Sequence, residues 1–205
     1  MKLIDLSHTV FTDMPAYPGD ESRTLIERVS EHGETAHQCS IFSMGCHVGT
    51  HIDLPLHFLD GEPSLDILPP DVCLGRARVF SAPQGAVGPE VFATADLSGL
   101  DFVILRTGWE RRWGTDDYYR NWPWLTPESA TLLAGAGLRG VGLDTPSVDP
   151  LDVHTSHEIL AAAGMINVEN LANLDPLPDE PFLFMALPLK LAGAEASPVR
   201  AVALL

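Results

Sequence analysis

The sequence predicts an α/β domain in which strands outnumber helices. Two observations carry that expectation, eight short apolar or alternating runs and two stretches with helix start signals; a third, 17 prolines and 17 glycines spread along the chain rather than pooled in a linker, favours one domain. With 205 residues and 45% hydrophobic content, the chain can bury one sizeable core, so a single domain over 1–205 is expected.

The strand runs fall, in order, at residues 2–6, 24–29, 39–44, 77–81, 102–106, 140–143, 182–187 and 199–204. Between the first two, Tyr17-Pro18-Gly19-Asp20 pairs the pre-set φ of proline with a glycine that tolerates φ > 0, which predicts a tight turn. Residues 108–124 hold all four tryptophans (Trp109, Trp113, Trp122, Trp124) with Tyr118 and Tyr119. That ring density suits either a satellite core or the wall of a pocket or subunit contact. Thr126-Pro127-Glu128 supplies a cap, a first-turn proline and an acid for a helix over 129–136. A second helix is expected over 157–163, capped by Thr155 or Ser156 and ended by Gly164.

Charge narrows the partners. Twelve basic against 28 acidic side chains give a formal charge of -16, which repels phosphate backbones and argues against nucleic acid or an anionic membrane as a partner. Met1-Lys2-Leu3-Ile4-Asp5 meets an acid before any apolar stretch of signal-peptide length, and no apolar run approaches the ~20 residues of a spanning helix, so a cytoplasmic protein is expected. Cys39, Cys46 and Cys73 are odd in number and lack a CxxC spacing, which fits reduced thiols. Cys46 is read as a small buried residue.

The chemistry concentrates in one segment. His47-Val48-Gly49-Thr50-His51-Ile52-Asp53-Leu54-Pro55-Leu56-His57 places three imidazoles and a carboxylate within eleven positions. These are zinc ligands of first choice, and the same set suits manganese or iron. A straight strand would hold the α-carbons of His47 and His51 about 13 Å apart, too far for easy shared ligation, so the chain must bend, and Gly49 is the natural bending point. His47, His51 and Asp53 would leave coordination positions open for water whose pKa falls toward ~7, as in a catalytic site. His57, beyond Pro55, can stand beside the metal as general acid and base. His154, His157 and Glu169 form a second cluster whose separate features, a helix-start histidine and an acid after an apolar pair, are common on surfaces.

Competing motifs fail on context. Gly135-Ala136-Gly137-Leu138-Arg139-Gly140 matches GxGxxG, but it follows a helix and precedes a strand, the reverse of the dinucleotide-binding order, and reads as a helix stop and turn. GxSxG, HExxH and GxxxxGK[ST] are absent from the sequence.

The segment from His47 through His57 and Phe58 resembles the HxGTHxDxPxH signature of the cyclase family, which includes bacterial kynurenine formamidases. The resemblance extends through Asp5-Leu6-Ser7-His8, Tyr17-Pro18-Gly19-Asp20, Arg106-Thr107-Gly108-Trp109, Asp144-Thr145-Pro146-Ser147-Val148-Asp149 and Ala186-Leu187-Pro188-Leu189 with Gly193. It implies the swivelling β/β/α fold, with a mixed sheet and few helices, assembled as a dimer or larger. It implies that His47, His51 and Asp53 bind metal, that His57 is the acid and base, and that His157 and Glu169, twelve residues apart, complete the metal site. The divalent metal is expected to be zinc, with manganese as the alternative, as one ion or as two bridged by Asp53.

The resulting expectation is a metal-dependent amide hydrolase acting on a formamide or small cyclic amide, with N-formylkynurenine as the best named substrate and Trp109 and Trp113 stacking on its aryl group. The alternatives are a family hydrolase of another amide or lactone, a metal or small-ligand binder without turnover, and a structural metal staple.

Overall fold

The computed structural model describes residues 2–33, 35–93 and 95–205. In chain order the strands are β1 (Leu3–Asp5), β2 (Leu25–Ser30), β3 (Cys39–Ser43), β4 (His51–Asp53), β5 (Leu74–Ser81), β6 (Ala86–Val87), β7 (Phe102–Arg106), β8 (Trp124–Leu125), β9 (Gly140–Leu143), β10 (Ile166–Glu169), β11 (Phe182–Met185), β12 (Ala196–Pro198) and β13 (Val202–Leu204). The α-helices are α1 (Pro127–Ala134) and α2 (Thr155–Ala162). Nine strands join one mixed sheet in the order β1-β13-β11-β5-β7-β9-β10-β4-β12. Within it β5, β7, β9 and β10 are parallel, and antiparallel strands extend both sides. β2 and β3 form a separate antiparallel hairpin, and β6 pairs with β8.

The centre of the sheet is apolar on both faces, as a parallel sheet under two layers requires. Along β7, Phe102 and Ile104 enter one core while Val103 and Leu105 enter the other, the period-two alternation of a strand. α1 and α2 cover the second face through Leu133 and Leu160. β9 passes so close to its neighbour that a Cβ at Gly140 would lie 2.5 Å from the carbonyl oxygen of Ile166. Among the described residues no helix is long and apolar enough to cross a membrane.

All eight expected strands occur, with ends shifted by up to three residues. β4, β6, β8, β10 and β12 are additional. β6 and β8 are only two residues long. β4, β10 and β12 are three or four residues long and carry His51, Asp53, Asn167, Glu169 and Ser197, all buried.

The helix starts divide the same way. Thr126 caps α1 as expected, its hydroxyl accepting from the Ser129 N–H at 3.3 Å, with Pro127 at the first position. Thr155 and Ser156 do not cap α2, because both lie inside it. The acceptor is Asp149, whose carboxylate takes the N–H groups of Ser156 and His157, each at 2.9 Å. The Gly135–Gly140 segment is a turn between α1 and β9, with Gly137 at φ 74°. The cysteines are free; Cys46 is half-buried rather than buried.

Candidate active site

Local sequence bends the signature segment into a cup. Gly49 has φ 71°, and a Cβ there would meet Met14 Cε at 2.9 Å. The expected bend therefore occurs where only glycine is comfortable. The chain then enters β4, where alternate residues His51 and Asp53 share a face and the antiparallel register sets His51 opposite Glu169. Pro55 opens a 3-10 turn over Pro55–His57 that folds His57 back over the cup, its ring centroid 4.1 Å from that of His47. His157 enters from the first turn of α2, a crossover segment between β9 and β10. Sequence-distant donors thus meet because β10 lies between β9 and β4.

The donor atoms converge. Asp53 Oδ1 lies 2.8 Å from His47 Nδ1 and 3.3 Å from His51 Nε2. Glu169 Oε2 is 3.6 Å from His51 Nε2, and Glu169 Oε1 is 3.2 Å from His157 Nε2. Each histidine uses its other nitrogen on a different acceptor. His51 Nδ1 meets the Gly49 carbonyl at 2.9 Å, His157 Nδ1 meets Asp149 at 2.8 Å, and His47 Nε2 meets Glu195 at 3.1 Å. With those nitrogens committed as donors, the inward nitrogens of the neutral rings present lone pairs. Asp53 Oδ1 is buried and, despite the close imidazoles, has no aligned hydrogen-bond donor. A buried anionic oxygen flanked by imidazoles, whose inward nitrogens offer lone pairs once deprotonated, fits a cation.

Among the described residues, three or more donor atoms lie within 4.8 Å of one another in two groups, His47 with Asp53 and His57, and His51 with Asp53 and Glu169. Asp53 belongs to both.

The electrostatics agree. Burial opposes charge on His47, but Asp53, Glu195 and Glu169 outweigh it and raise its pKa to about 9. Burial also opposes charge on His157, where Asp149 and Glu169 win and raise the value to about 10. Burial opposes ionisation of Asp53, yet His51 and His47 hold its carboxyl well below the usual range. The carboxylates therefore call for positive charge, as protons on imidazole or as a metal that displaces them. His57 differs. Its ring has one edge in solvent, yet loss of water around the remainder dominates and lowers its pKa to about 4, so it is neutral at pH 7.

A cavity of about 250 Å³ opens over these groups, lined also by Tyr17, Asp20, Phe58, Pro146 and His154. A larger cavity of about 560 Å³ lies elsewhere, beside the β2–β3 hairpin, and contains none of the clustered donors. The turn at residues 17–20 forms as expected, with Asp20 N–H donating to the Tyr17 carbonyl at 2.9 Å and Gly19 at φ 89°. It delivers Tyr17 and Asp20 to the cavity rim.

The expected tryptophans do not reach the cavity. Trp109 is 3% exposed, within a satellite core with Tyr118 and Trp122, and its indole N–H donates to the Tyr118 carbonyl at 2.8 Å. Trp113 stacks on His8, with ring centroids 4.0 Å apart and planes within 9°. Of the two readings of residues 108–124, the satellite core describes Trp109 and Trp113, while Trp122 and Trp124 also line a separate cavity with Tyr119. Asp149, Glu195, Tyr17, Phe58 and Asn170 belong to the site or its supports and were not picked out as such. Asp149 closes a segment shared with the family resemblance and Asn170 follows Glu169, but nothing in their spacing announces the contact.

A mixed sheet gathers buried imidazoles and carboxylates under an open cleft, with a neutral histidine at its rim, an arrangement suited to metal-assisted hydrolysis. The chain belongs to the cyclase family, whose description "Putative cyclase" matches residues 4–150. It is 35% identical to the kynurenine formamidase of Salinibacter ruber, with 98% of this chain and 97% of that protein covered. Isatin hydrolase A from Labrenzia aggregata, solved bound to benzyl benzoate, superposes with a TM-score of 0.88 at 28% identity over 98% of this chain and 93% of that one. A structure described as a potential metal-dependent hydrolase with cyclase activity gives 0.81 at 28% identity, with 98% and 96% covered.

Proposed function

We propose that this protein is a divalent-metal-dependent hydrolase of a formamide or small cyclic amide, with N-formylkynurenine, cleaved to kynurenine and formate, as the best named substrate. The observation that carries the reading is Asp53 Oδ1, buried without an aligned donor where two groups of ligand-type side chains meet. His47, His51, Asp53, His157 and Glu169 would hold the metal, zinc before manganese, as one ion or as two that share Asp53. A divalent cation bound there supplies Lewis acidity toward the carbonyl and lowers the pKa of water toward ~7.

The remaining chemistry belongs to the chain. His57 is neutral at pH 7 and stands at the cavity edge, so it can take a proton from the attacking water and return it to the leaving nitrogen. His57 also lies within ligand distance of His47 and Asp53, and its exposure favours the proton-transfer role. The rings of Tyr17 and Phe58 flank the cavity and suit an aryl group better than Trp109 and Trp113, which lie outside its lining.

A second reading is ring opening of a cyclic amide such as isatin, supported by the likeness to isatin hydrolase A. Hydrolysis of N-formylkynurenine and of isatin by protein stripped with chelator and refilled with zinc or manganese separates the two. Turnover of the formamide restored by one metal is the expected result. Folded, refilled protein that opens only isatin would transfer the assignment, and protein inert toward both would sink it.

We further infer one domain and a homo-oligomer of two or more chains. The first reading is supported by β1 pairing with β13, which brings both ends of the sequence into one sheet. The second is supported by the β2–β3 hairpin, where Val29 is 52%, Ile41 54% and Phe42 63% exposed. Light scattering coupled to size exclusion tests it, and a monomer would contradict it. The charge of -16 supports a partner other than nucleic acid or anionic membrane, and three free cysteines support a reducing, cytoplasmic setting.

A further inference from the structure

The tryptophan-rich segment takes no part in the chemistry above, yet two of its polar atoms end on groups that hold the histidines. Tyr118 is fully buried, and its hydroxyl donates to Asn170 Oδ1 at 2.7 Å. That contact orients the amide so that Asn170 Nδ2 donates to the Gly49 carbonyl at 3.0 Å, the same carbonyl that meets His51 Nδ1 at 2.9 Å. Asn170 makes this bridge with φ 55°, a left-handed conformation that asparagine tolerates. A parallel path starts from Trp122, which is 2% exposed. Its indole N–H donates to the Asp149 backbone carbonyl at 2.8 Å, and the Asp149 carboxylate meets His157 Nδ1 at 2.8 Å.

We propose that Tyr118 and Trp122 are positioning residues that brace the site from the satellite core, Tyr118 acting through Asn170 on His51 and Trp122 acting through Asp149 on His157. This rests on the reading of His51 and His157 as metal ligands. The physical case is geometric. A histidine binds metal well only when its far nitrogen is held in one tautomer and the ring in one plane, and the groups that do this must themselves be held. Asn170 can turn its amide over at little covalent cost. Turned over, Oδ1 would face the Gly49 carbonyl, acceptor against acceptor, and would compete for the His51 N–H. The Tyr118 hydroxyl, donating to Oδ1, opposes that turn. Every member of this path is buried, so water is poorly placed to replace a lost donor.

If the rings served only to fill space, deleting the Tyr118 hydroxyl while keeping its ring would leave the histidines undisturbed. Zinc affinity of the metal-stripped protein, measured by competition with a chromophoric chelator, decides between these. The full chain is compared as wild type, Tyr118→Phe, Asn170→Gly and the double variant, the glycine being chosen because it accepts φ 55° without strain. Loss of an outer partner of a metal-bound histidine costs roughly 10- to 100-fold in affinity. Asn170→Gly should fall in that range and Tyr118→Phe, one contact further out, should lose about 5-fold. The double variant should bind no more weakly than Asn170→Gly alone, because the hydroxyl has then lost the group it acts through. Losses that multiply, or unchanged affinity in Tyr118→Phe beside a lowered Tm, would overturn the brace. Wild-type protein that binds no zinc would instead sink the metal reading itself, and the brace with it. Should Asn170→Gly not fold, the affinity of Tyr118→Phe decides alone.

Discussion

The two halves of the candidate site supply the same kinds of donor by opposite means. His47, His51, Asp53 and His57 come from eleven consecutive positions, brought together by a glycine bend, a three-residue strand and a proline-started turn. His157 and Glu169 come from a helix start and the strand that follows it, and reach the first group only because β10 pairs with β4. The first half is made by local backbone chemistry, the second by sheet topology. The two should respond differently to substitution.

Asp53 is the one donor common to both groups, so its loss should have the largest effect. Asp53→Asn keeps the shape but removes the charge, and metal content by elemental analysis together with hydrolysis should both fall to background. A variant retaining full metal would separate the halves. Next in size, His57→Ala should lower kcat about 10²- to 10⁴-fold, the usual worth of a positioned general acid and base, while metal content stays at the wild-type level. Loss of metal in that variant would move His57 among the ligands, and unchanged kcat would remove its proposed role.

The second half depends on a residue that performs two tasks. Asp149 accepts two N–H groups at the start of α2 and also holds His157 Nδ1. Asp149→Ala should lower metal affinity roughly 10- to 100-fold and lower stability by about 1 kcal/mol through the lost cap. Chelator competition and urea unfolding of the metal-free protein read the two effects separately. An affinity change without a stability change would contradict the double role.

A separate effect appears with pH in the metal-free protein. His47 and His157 are raised from 6.5 to about 9 and about 10, so the folded state binds more protons there than the unfolded state does. Their contribution is fully present below pH 6.5 and is lost as pH rises through 9 and 10. His8 and His57, lowered to about 4 by burial, act in the opposite sense, and stability falls as pH drops from 6.5 toward 4. Urea midpoints between pH 4 and pH 10 should pass through a maximum near neutrality. Bound metal should protect the alkaline side, because it replaces the protons it displaces. The smallest effect concerns Trp113, which packs on His8 outside the cavity, so Trp113→Leu should leave KM for an aryl formamide unchanged while Tyr17→Leu raises it.

What could be read in the sequence follows the same division. Gly49 and the ligand-type residues around it act over a few bonds, and the bend and the meeting of His47, His51 and Asp53 are readable from them. His157 and Glu169 were common residues at unremarkable positions, and only family resemblance linked them to the signature. The α2 cap was misread because the acceptor, Asp149, lies outside the adjoining residues where caps are sought. β4 is only three residues long and β10 only four, so the apolar/polar alternation that both carry is too short a run to stand out as a strand. The density of rings at residues 108–124 marked something unusual, but a sequence does not say which way an indole faces.

The most direct test is calorimetric titration of metal-stripped, folded protein with zinc and with manganese at pH 7, in two buffers of different ionisation enthalpy. Saturable uptake of one or two ions with release of protons is predicted, because His47 and His157 hold protons at that pH until a metal takes their place. Folded protein that takes up neither metal would contradict the account at its centre.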